Sequence, residues 1–187
     1  MQNPSIIVAI TGASGAIYAK SLLQKLNEFI SLIGKVAIIF SKQGREVWDF
    51  ELGKNVLNKI SFPIFNNDDF YAPFASGSSD FHAMVVCPCS MGTLGRIANG
   101  TSENLIGRAA DVMLKERRKL ILVTRESPLN LIHINNMKTV TEAGGIIMPA
   151  SPSFYSKPET LEEAVTTITM RIFDQLGISV EQYRWGK

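Results

Sequence analysis

Four short apolar runs constrain the fold of this 187-residue chain more than any other feature. They are Ile6–Ile10, Val36–Phe40, Met84–Cys87 and Leu120–Val123, and no charged residue interrupts them. Uninterrupted apolar runs of this length are typical of strands that are buried on both faces, as in a parallel sheet covered by helices. The shorter run Ile146–Met148 predicts one further strand.

Segments with helical periodicity separate these runs. The first shows apolar residues at three- and four-residue steps, from Ala16 to Ile30, and further helices are predicted near 44–52, over 105–115 and over 131–143. A capping-box pattern precedes the last helix, with Thr160 and Glu163, and its predicted apolar face is Leu161, Val165, Ile168, Ile172 and Leu176. This alternation predicts an α/β fold: a single Rossmann-like (flavodoxin-like) three-layer domain over 1–187, with a mostly parallel sheet flanked by helices, a core at about 5–177 and a tail at about 178–187.

Composition narrows the class of protein. Charged residues make up 19% of the chain, against about 25% in a typical soluble domain, which indicates that part of the surface is covered in a homo-oligomer. A net charge of +2 argues against nucleic acid or an anionic membrane as the main partner. Two cysteines form no disulfide framework, and no basic residue precedes Lys20, so we expect a cytoplasmic protein without a signal peptide.

Ligands of open parallel sheets bind beyond the carboxyl ends of the strands, so the residues after each run are the informative ones. Thr11–Gly15 is built from small residues whose N–H groups can approach a phosphate at a helix start, although a tight turn without a ligand remains open. It lacks the Gly-Lys-Ser/Thr of a Walker A loop and the Gly-x-Gly-x-x-Gly of a dinucleotide fold. The second run ends at Ser41 rather than at an acidic residue, which disfavours NAD.

Neither cysteines nor acidic residues predict a metal site. Cys87 and Cys89 have no histidine at zinc-ligand spacing, so buried thiols are favoured. Asp68–Asp69 is an isolated pair, and no Asp-Asp-x-x-Asp cluster is present in the sequence. We therefore expect chemistry that needs no metal.

Charged residues form a second group. Arg108, Asp111 and Lys115 share one predicted helix face, for which a solvated salt-bridge face is an equally open interpretation. Arg125–Glu126 directly follows a buried run, where charged residues indicate site chemistry. Arg171 lies at the edge of an apolar helix face and either extends to solvent or reaches towards an anion.

Several segments together resemble the flavin prenyltransferase family of the UbiX type, within the homo-oligomeric flavin-containing Cys decarboxylase superfamily. The resemblance extends from about residue 6 to residue 176, and the Arg-Ala-Ala-Asp…Leu-Lys-Glu-Arg-Arg block of 108–118, followed by Arg125–Glu126, is its most specific part. The other matching segments are Thr11–Ala16, Ser41–Lys42 with Glu51, Ala75–Ser79, Cys87–Ser90 with Thr93, Gly144–Pro149 and Phe154–Tyr155.

The resemblance implies an enzyme that transfers a dimethylallyl group from dimethylallyl monophosphate to N5 of reduced FMN and then closes a ring at C6. Its product, prenylated FMN, would serve decarboxylases of the UbiD type, and the enzyme would be a homo-oligomer of twelve subunits. The implied catalytic residues are Ser14, Glu51, Lys115 and Glu126. The implied FMN contacts are Gly12, Ala13, Ser14, Ser41, Ser90, Met91, Gly92, Thr93 and Arg125. The implied ligands of the prenyl phosphate are Arg108, Lys115, Tyr155 and Arg171, and Trp185 resembles a C-terminal aromatic near the site.

Two other functions remain open at this point. The first is an FMN-dependent decarboxylase of the cysteine-peptide type, but the chain has no histidine before His82 and its loop reads Pro-Cys-Ser-Met-Gly-Thr instead of Pro-Ala-Ser-Ala-Asn-Thr. The second is a non-catalytic flavin-binding subunit of an aromatic acid decarboxylase. The charged group implied for the phosphate argues against mere flavin storage.

Overall fold

The structure is a computed structural model, which describes residues 3–184 and 186. Within these residues, six strands form one parallel sheet in the order β3-β2-β1-β4-β5-β6. Their bounds are β1 Ile6–Ile10, β2 Val36–Phe40, β3 Ile64–Phe65, β4 Ala83–Cys89, β5 Lys119–Thr124 and β6 Ile146–Pro149. All strands end at the same side of the sheet, here called the carboxyl edge, and begin at the opposite amino edge. The winding direction reverses between β1 and β4, which leaves a crevice at the carboxyl edge.

Six α-helices cover the two faces of the sheet in the described part of the chain. They are α1 Ala16–Glu28, α2 Lys42–Leu52, α3 Met91–Ala98, α4 Leu105–Lys115, α5 Leu131–Glu142 and α6 Leu161–Leu176, with short 3-10 helices at Ile30–Leu32 and Lys54–Lys59. α1, α2 and α6 contribute to the core on one face, whereas α3, α4 and α5 contribute to the core on the other. The predicted three-layer α/β fold is confirmed.

The apolar runs reflect this double cover. In β1, Ile6, Val8 and Ile10 belong to one core, whereas Ile7 and Ala9 belong to the other, and all five residues are buried. A strand with helices on both faces has no side that tolerates polar residues. This is why the runs show no alternation of apolar and polar residues.

Three details differ from the sequence-based expectation. β4 continues through Pro88 to Cys89; its register with β5 shifts between Val86 and Cys89, so Pro88 lies at an irregularity of the ladder, where proline is tolerated in a strand. The two-residue strand β3 was not predicted, since a segment this short and partly exposed has no periodic signal. Leu161 is 65% exposed and does not belong to the buried face of α6, because it is the first residue of that helix.

No helix in the described residues is long and apolar enough to cross a membrane.

Candidate functional site

A buried threonine joins the two loops that border the crevice. Thr11 follows β1, and its Oγ1 donates a hydrogen bond to the Pro88 carbonyl over 2.7 Å. The same oxygen accepts a hydrogen bond from the Ser90 N–H at 2.9 Å. The turn after β1 and the loop after β4 are therefore held together by one hydroxyl group.

Two serines begin helices at this edge. The Ser41 Oγ accepts from the Gly44 N–H at 2.9 Å and caps α2, while the Ser90 Oγ accepts from the Thr93 N–H at 3.3 Å and caps α3. Ser41 and Thr93 both line one small crevice together with Arg96 at the carboxyl edge. Helix starts carry partial positive charge, so this arrangement suits a phosphate or the polar edge of a ring.

Arg125 extends the same cluster from β5. Its Nε donates to the Ser14 carbonyl at 2.9 Å, and its backbone N–H donates to the Cys89 carbonyl at 3.3 Å. The neighbouring Glu126 accepts the Ser127 N–H at 3.0 Å through Oε1. The structure thus places all nine residues of the predicted FMN group along the carboxyl ends of β1, β2, β4 and β5: Gly12, Ala13, Ser14, Ser41, Ser90, Met91, Gly92, Thr93 and Arg125.

The side chain of Glu51, a residue of α2, places its carboxylate at the start of α1. Its carboxylate accepts the Gly15 N–H at 3.0 and 3.1 Å and the Ala16 N–H at 2.7 Å. A carboxylate is stabilised at this end of a helix by the helix dipole. A ligand anion at this turn would therefore compete with Glu51 for these two N–H groups. The spacing of 35 residues gives no sequence signal for this contact.

The two thiols are structural. Cys87 and Cys89 are fully buried and unpaired. Burial raises the pKa of Cys89 to about 12 and raises that of Cys87 still further, so both thiols stay protonated and unreactive at neutral pH. In the described ranges, 3–184 and 186, no three His, Cys, Asp or Glu side chains form a group that could hold a metal ion.

The predicted phosphate ligands on α4 both have partners within the subunit, and Lys115 lies at the end of α4 away from the carboxyl edge. The Arg108 Nε donates to the Ala75 carbonyl at 2.9 Å, and its Nη1 forms an ion pair with Asp111 at 3.2 Å. Lys115 is the last residue of α4, close to the amino end of β5, and its ammonium pairs with Glu116. Ser14 lies at the carboxyl edge, and the six residues of β5 alone span about 20 Å. One subunit therefore does not bring Lys115 to the Ser14 turn.

Tyr155 and Arg171 meet in a third place. They line a cavity of about 540 Å³ beside α6 with Ser153, Asp174, Gln182, Tyr183 and Arg184. Asp174 organises this cavity: its carboxylate accepts Arg171 at 2.6 Å, Gln182 at 2.7 Å and Arg184 at 3.2 Å. Sequence reasoning did not single out Asp174, and its only signal was the i, i+3 spacing from Arg171. Trp185, the predicted C-terminal aromatic, lies outside the described residues.

The sequence of this chain is similar to that of known flavoproteins over nearly its whole length. A family model described as "Flavoprotein" matches residues 1–173. A protein of Methanocaldococcus jannaschii named "Flavin prenyltransferase UbiX" is 46% identical over 184 residues, which cover 97% of this chain and 98% of the relative. The similarity therefore extends across nearly the whole of both chains.

Two solved structures are similar over the same length. AnUbiX (PadA1), crystallised in complex with FMN and dimethylallyl pyrophosphate, is 37% identical with a TM-score of 0.88, over 98% of this chain and 100% of that one. A dodecameric FMN-dependent UbiX-like decarboxylase from Escherichia coli O157:H7 is 38% identical with a TM-score of 0.90, also over 98% of this chain and 100% of that one.

Proposed function

Because the chain belongs to the UbiX-type flavin prenyltransferase family, we propose that it is a prenyltransferase that acts on reduced FMN. In this reaction, C1 of the dimethylallyl group bonds to flavin N5 while the C–O bond to phosphate breaks, and phosphate leaves with the electron pair. N5 loses its proton in this step. Protonation of the remaining prenyl double bond then gives a tertiary cation, which bonds to C6 as the C6 proton is released. The observation that carries the proposal is the gathering of the nine predicted FMN contacts at one edge of the sheet.

The residues at the carboxyl edge suit FMN. The capped helix starts at Ser41 and Ser90 supply hydroxyl and N–H groups for phosphate and ring edges. Arg125 supplies a guanidinium that is already fixed by the Ser14 carbonyl. Ser14, Glu51 and Glu126 are the proposed catalytic residues from this edge, with Glu126 as the group that orients Arg125 or carries a proton.

We further propose that neighbouring subunits complete the site. Lys115, at the end of α4, lies near the amino end of β5 in its own subunit. Tyr155 and Arg171 line a cavity that shares no lining residue with the crevice of Ser41 and Thr93. A homo-oligomer of twelve subunits, like the dodecameric Escherichia coli protein, would allow these groups to meet the flavin of an adjacent subunit. The low charged fraction and large exposed apolar side chains support buried subunit contacts, among them Phe50 at 90% and Leu131 at 70% exposure.

The chemistry requires stabilisation of the departing phosphate. Negative charge grows on that phosphate as the allyl–oxygen bond breaks, and cations in a water-poor pocket stabilise it. Arg108 and Arg171 offer planar forks that match phosphate geometry, whereas Lys115 offers a point charge. The Tyr155 hydroxyl would donate one further hydrogen bond to a phosphate oxygen. The proposal includes release of prenylated FMN to a UbiD-type decarboxylase and a cytoplasmic location.

Incubation with both substrates tests this function. We expect that purified protein, reduced FMN and dimethylallyl monophosphate, mixed without oxygen, will yield a flavin heavier than FMN by one isoprene unit, as measured by mass spectrometry of the extracted flavin. Dimethylallyl pyrophosphate serves as the second donor, because the AnUbiX neighbour was crystallised with it. An unchanged flavin mass with either donor, despite binding of both ligands, would contradict the proposal.

The same assay separates the alternatives. The similar Escherichia coli protein is described as a decarboxylase, so a parallel incubation includes an aromatic acid and FMN without a prenyl donor. Release of carbon dioxide by this protein alone would favour the decarboxylase. Flavin binding without either reaction would favour the accessory subunit.

Replacement of Lys115 should separate use of the prenyl donor from flavin binding. We expect Lys115→Ala to raise the KM for dimethylallyl monophosphate about tenfold or more, because one charge-assisted contact to the phosphate is lost, and to leave the Kd for FMN unchanged. Lys138→Ala is the matched control, since Lys138 is exposed and pairs only loosely with Glu142 at 3.6 Å. Equal loss of FMN binding and donor use would show that Lys115 has another role.

A further inference from the structure

A short loop ahead of β4 is bound by two arginines. It comprises Ala75–Ser79 and is called the serine loop below. The Arg108 Nε donates to the Ala75 carbonyl at 2.9 Å, and the Arg118 Nη2 donates to the Gly77 carbonyl at 2.7 Å. One guanidinium comes from within α4 and the other from the turn that follows it, so the backbone of the loop is fixed along the length of that helix.

Between these two anchors, Gly77 lies directly against an ion pair. A Cβ atom added to Gly77 would stand 2.2 Å from Glu116 Oε1 and 2.6 Å from Lys115 Nζ, whereas real Cβ atoms essentially never come within 3.0 Å of another heavy atom. The backbone of Gly77 lies outside the left-handed region, so its conformation does not itself demand glycine. The nearest obstacles to a side chain at this position are therefore the ends of the Lys115 and Glu116 side chains.

We infer that Gly77 is a positioning residue that sets where the Lys115 ammonium stands, and hence how it meets the prenyl phosphate. This inference rests on the proposed function. The loop cannot withdraw without breaking its hydrogen bonds to Arg108 and Arg118, whereas the ends of Lys115 and Glu116 are flexible. A side chain at position 77 would therefore displace the ammonium and leave the fold in place.

The charges agree with this arrangement. The hydrogen bond and positive charge of Lys115 lower the pKa of Glu116, so the carboxylate remains ionised beside the ammonium. Glu116 thereby holds Lys115 against the glycine. Asp111 likewise forms an ion pair with Arg108, whose Nε also donates a hydrogen bond to the Ala75 carbonyl.

Gly77→Ala tests the inference. We expect the KM for dimethylallyl monophosphate to rise about tenfold. The FMN Kd, the melting temperature and the oligomer size should stay at their wild-type values. Ser78→Ala is the control in the same loop, because it adds no atoms and removes only a 3.3 Å contact with Ser76. An unchanged KM in Gly77→Ala, or a loss of FMN binding equal to the loss of donor use, would overturn the inference.

A double-mutant cycle tests whether Gly77 acts through Lys115. If it does, Gly77→Ala should add no further loss in a Lys115→Ala background. The same additional loss in both backgrounds would indicate a merely structural role and overturn the inference. If the wild type forms no prenylated FMN, the proposed function fails instead. A crystal structure of Gly77→Ala then decides separately whether the Lys115 Nζ moves while the backbone of the serine loop stays in place.

Discussion

Two variants that are each impaired at low donor concentration should regain activity when they assemble into one oligomer. Arg125→Ala damages the carboxyl edge, and Lys115→Ala removes a cation near the opposite edge of the same subunit. If neighbouring subunits share a site, an intact Arg125 from one variant can meet an intact Lys115 from the other. Random mixing in equal amounts should restore about a quarter of the sites, because each site needs two intact contributions.

This experiment requires co-expression of the two variants with different affinity tags and purification on both tags in turn. Prenylated FMN is then measured in the mixed oligomer. The control mixes Lys115→Ala with the double variant Lys115→Ala/Arg125→Ala, a combination in which no site has both residues. Activity of the mixed oligomer no higher than in this control would mean that each site uses Lys115 and Arg125 from the same subunit.

Gly44→Ala should disrupt both the fold and the flavin site. A Cβ atom at Gly44 would stand 2.2 Å from the Ile10 carbonyl oxygen and 3.0 Å from Thr11 Cα, which are backbone atoms at the end of β1. They cannot yield easily, because the same Ile10 carbonyl accepts the Ser41 N–H at 3.0 Å. We expect a loss of about 3 kcal/mol or more in the free energy of unfolding, at or above the usual range for overpacking, together with loss of FMN binding.

Thermal unfolding at fixed protein concentration and titration with FMN measure this effect. Gly95→Ala is the matched control, because its Cβ would stand 3.4 Å from the Asn136 Nδ2, which is an ordinary contact. Alanine is also favoured over glycine within a helix such as α3. Wild-type stability in Gly44→Ala would show that α2 can move away from β1 at little cost.

The central strands were predictable because burial on both faces requires an uninterrupted run of apolar residues, which is visible in the sequence. Ile6–Ile10 and Val36–Phe40 carry no polar residue, and their bounds agree with β1 and β2. Parallel pairing then places the residues after each strand at one edge, so the proximity of Ser41, Ser90 and Arg125 follows from topology. These parts of the fold and the site depend on short segments and one general rule.

Other contacts join residues far apart in the chain, and no local sequence pattern predicts them. The Glu51 carboxylate reaches α1 across 35 residues, and Thr11 reaches Pro88 across 77. The helical spacing of Arg108 and Asp111 left a salt-bridge face open, and their ion pair is observed at 3.2 Å, but Lys115 pairs with Glu116 instead of Asp111. The residue types of the phosphate group gave no indication that it is divided between two places on the subunit surface.

The length of β5 makes enzymatic activity depend on assembly of the subunits, if the proposed function holds. It separates Lys115 from the Ser14 turn, so under the proposed function a newly made chain holds only part of the machinery. Activity per subunit should then follow mass action, rising with the assembled fraction and vanishing on dilution below the dissociation constant of the oligomer. Under the proposed function, lone chains would then not alkylate free reduced flavin before they assemble.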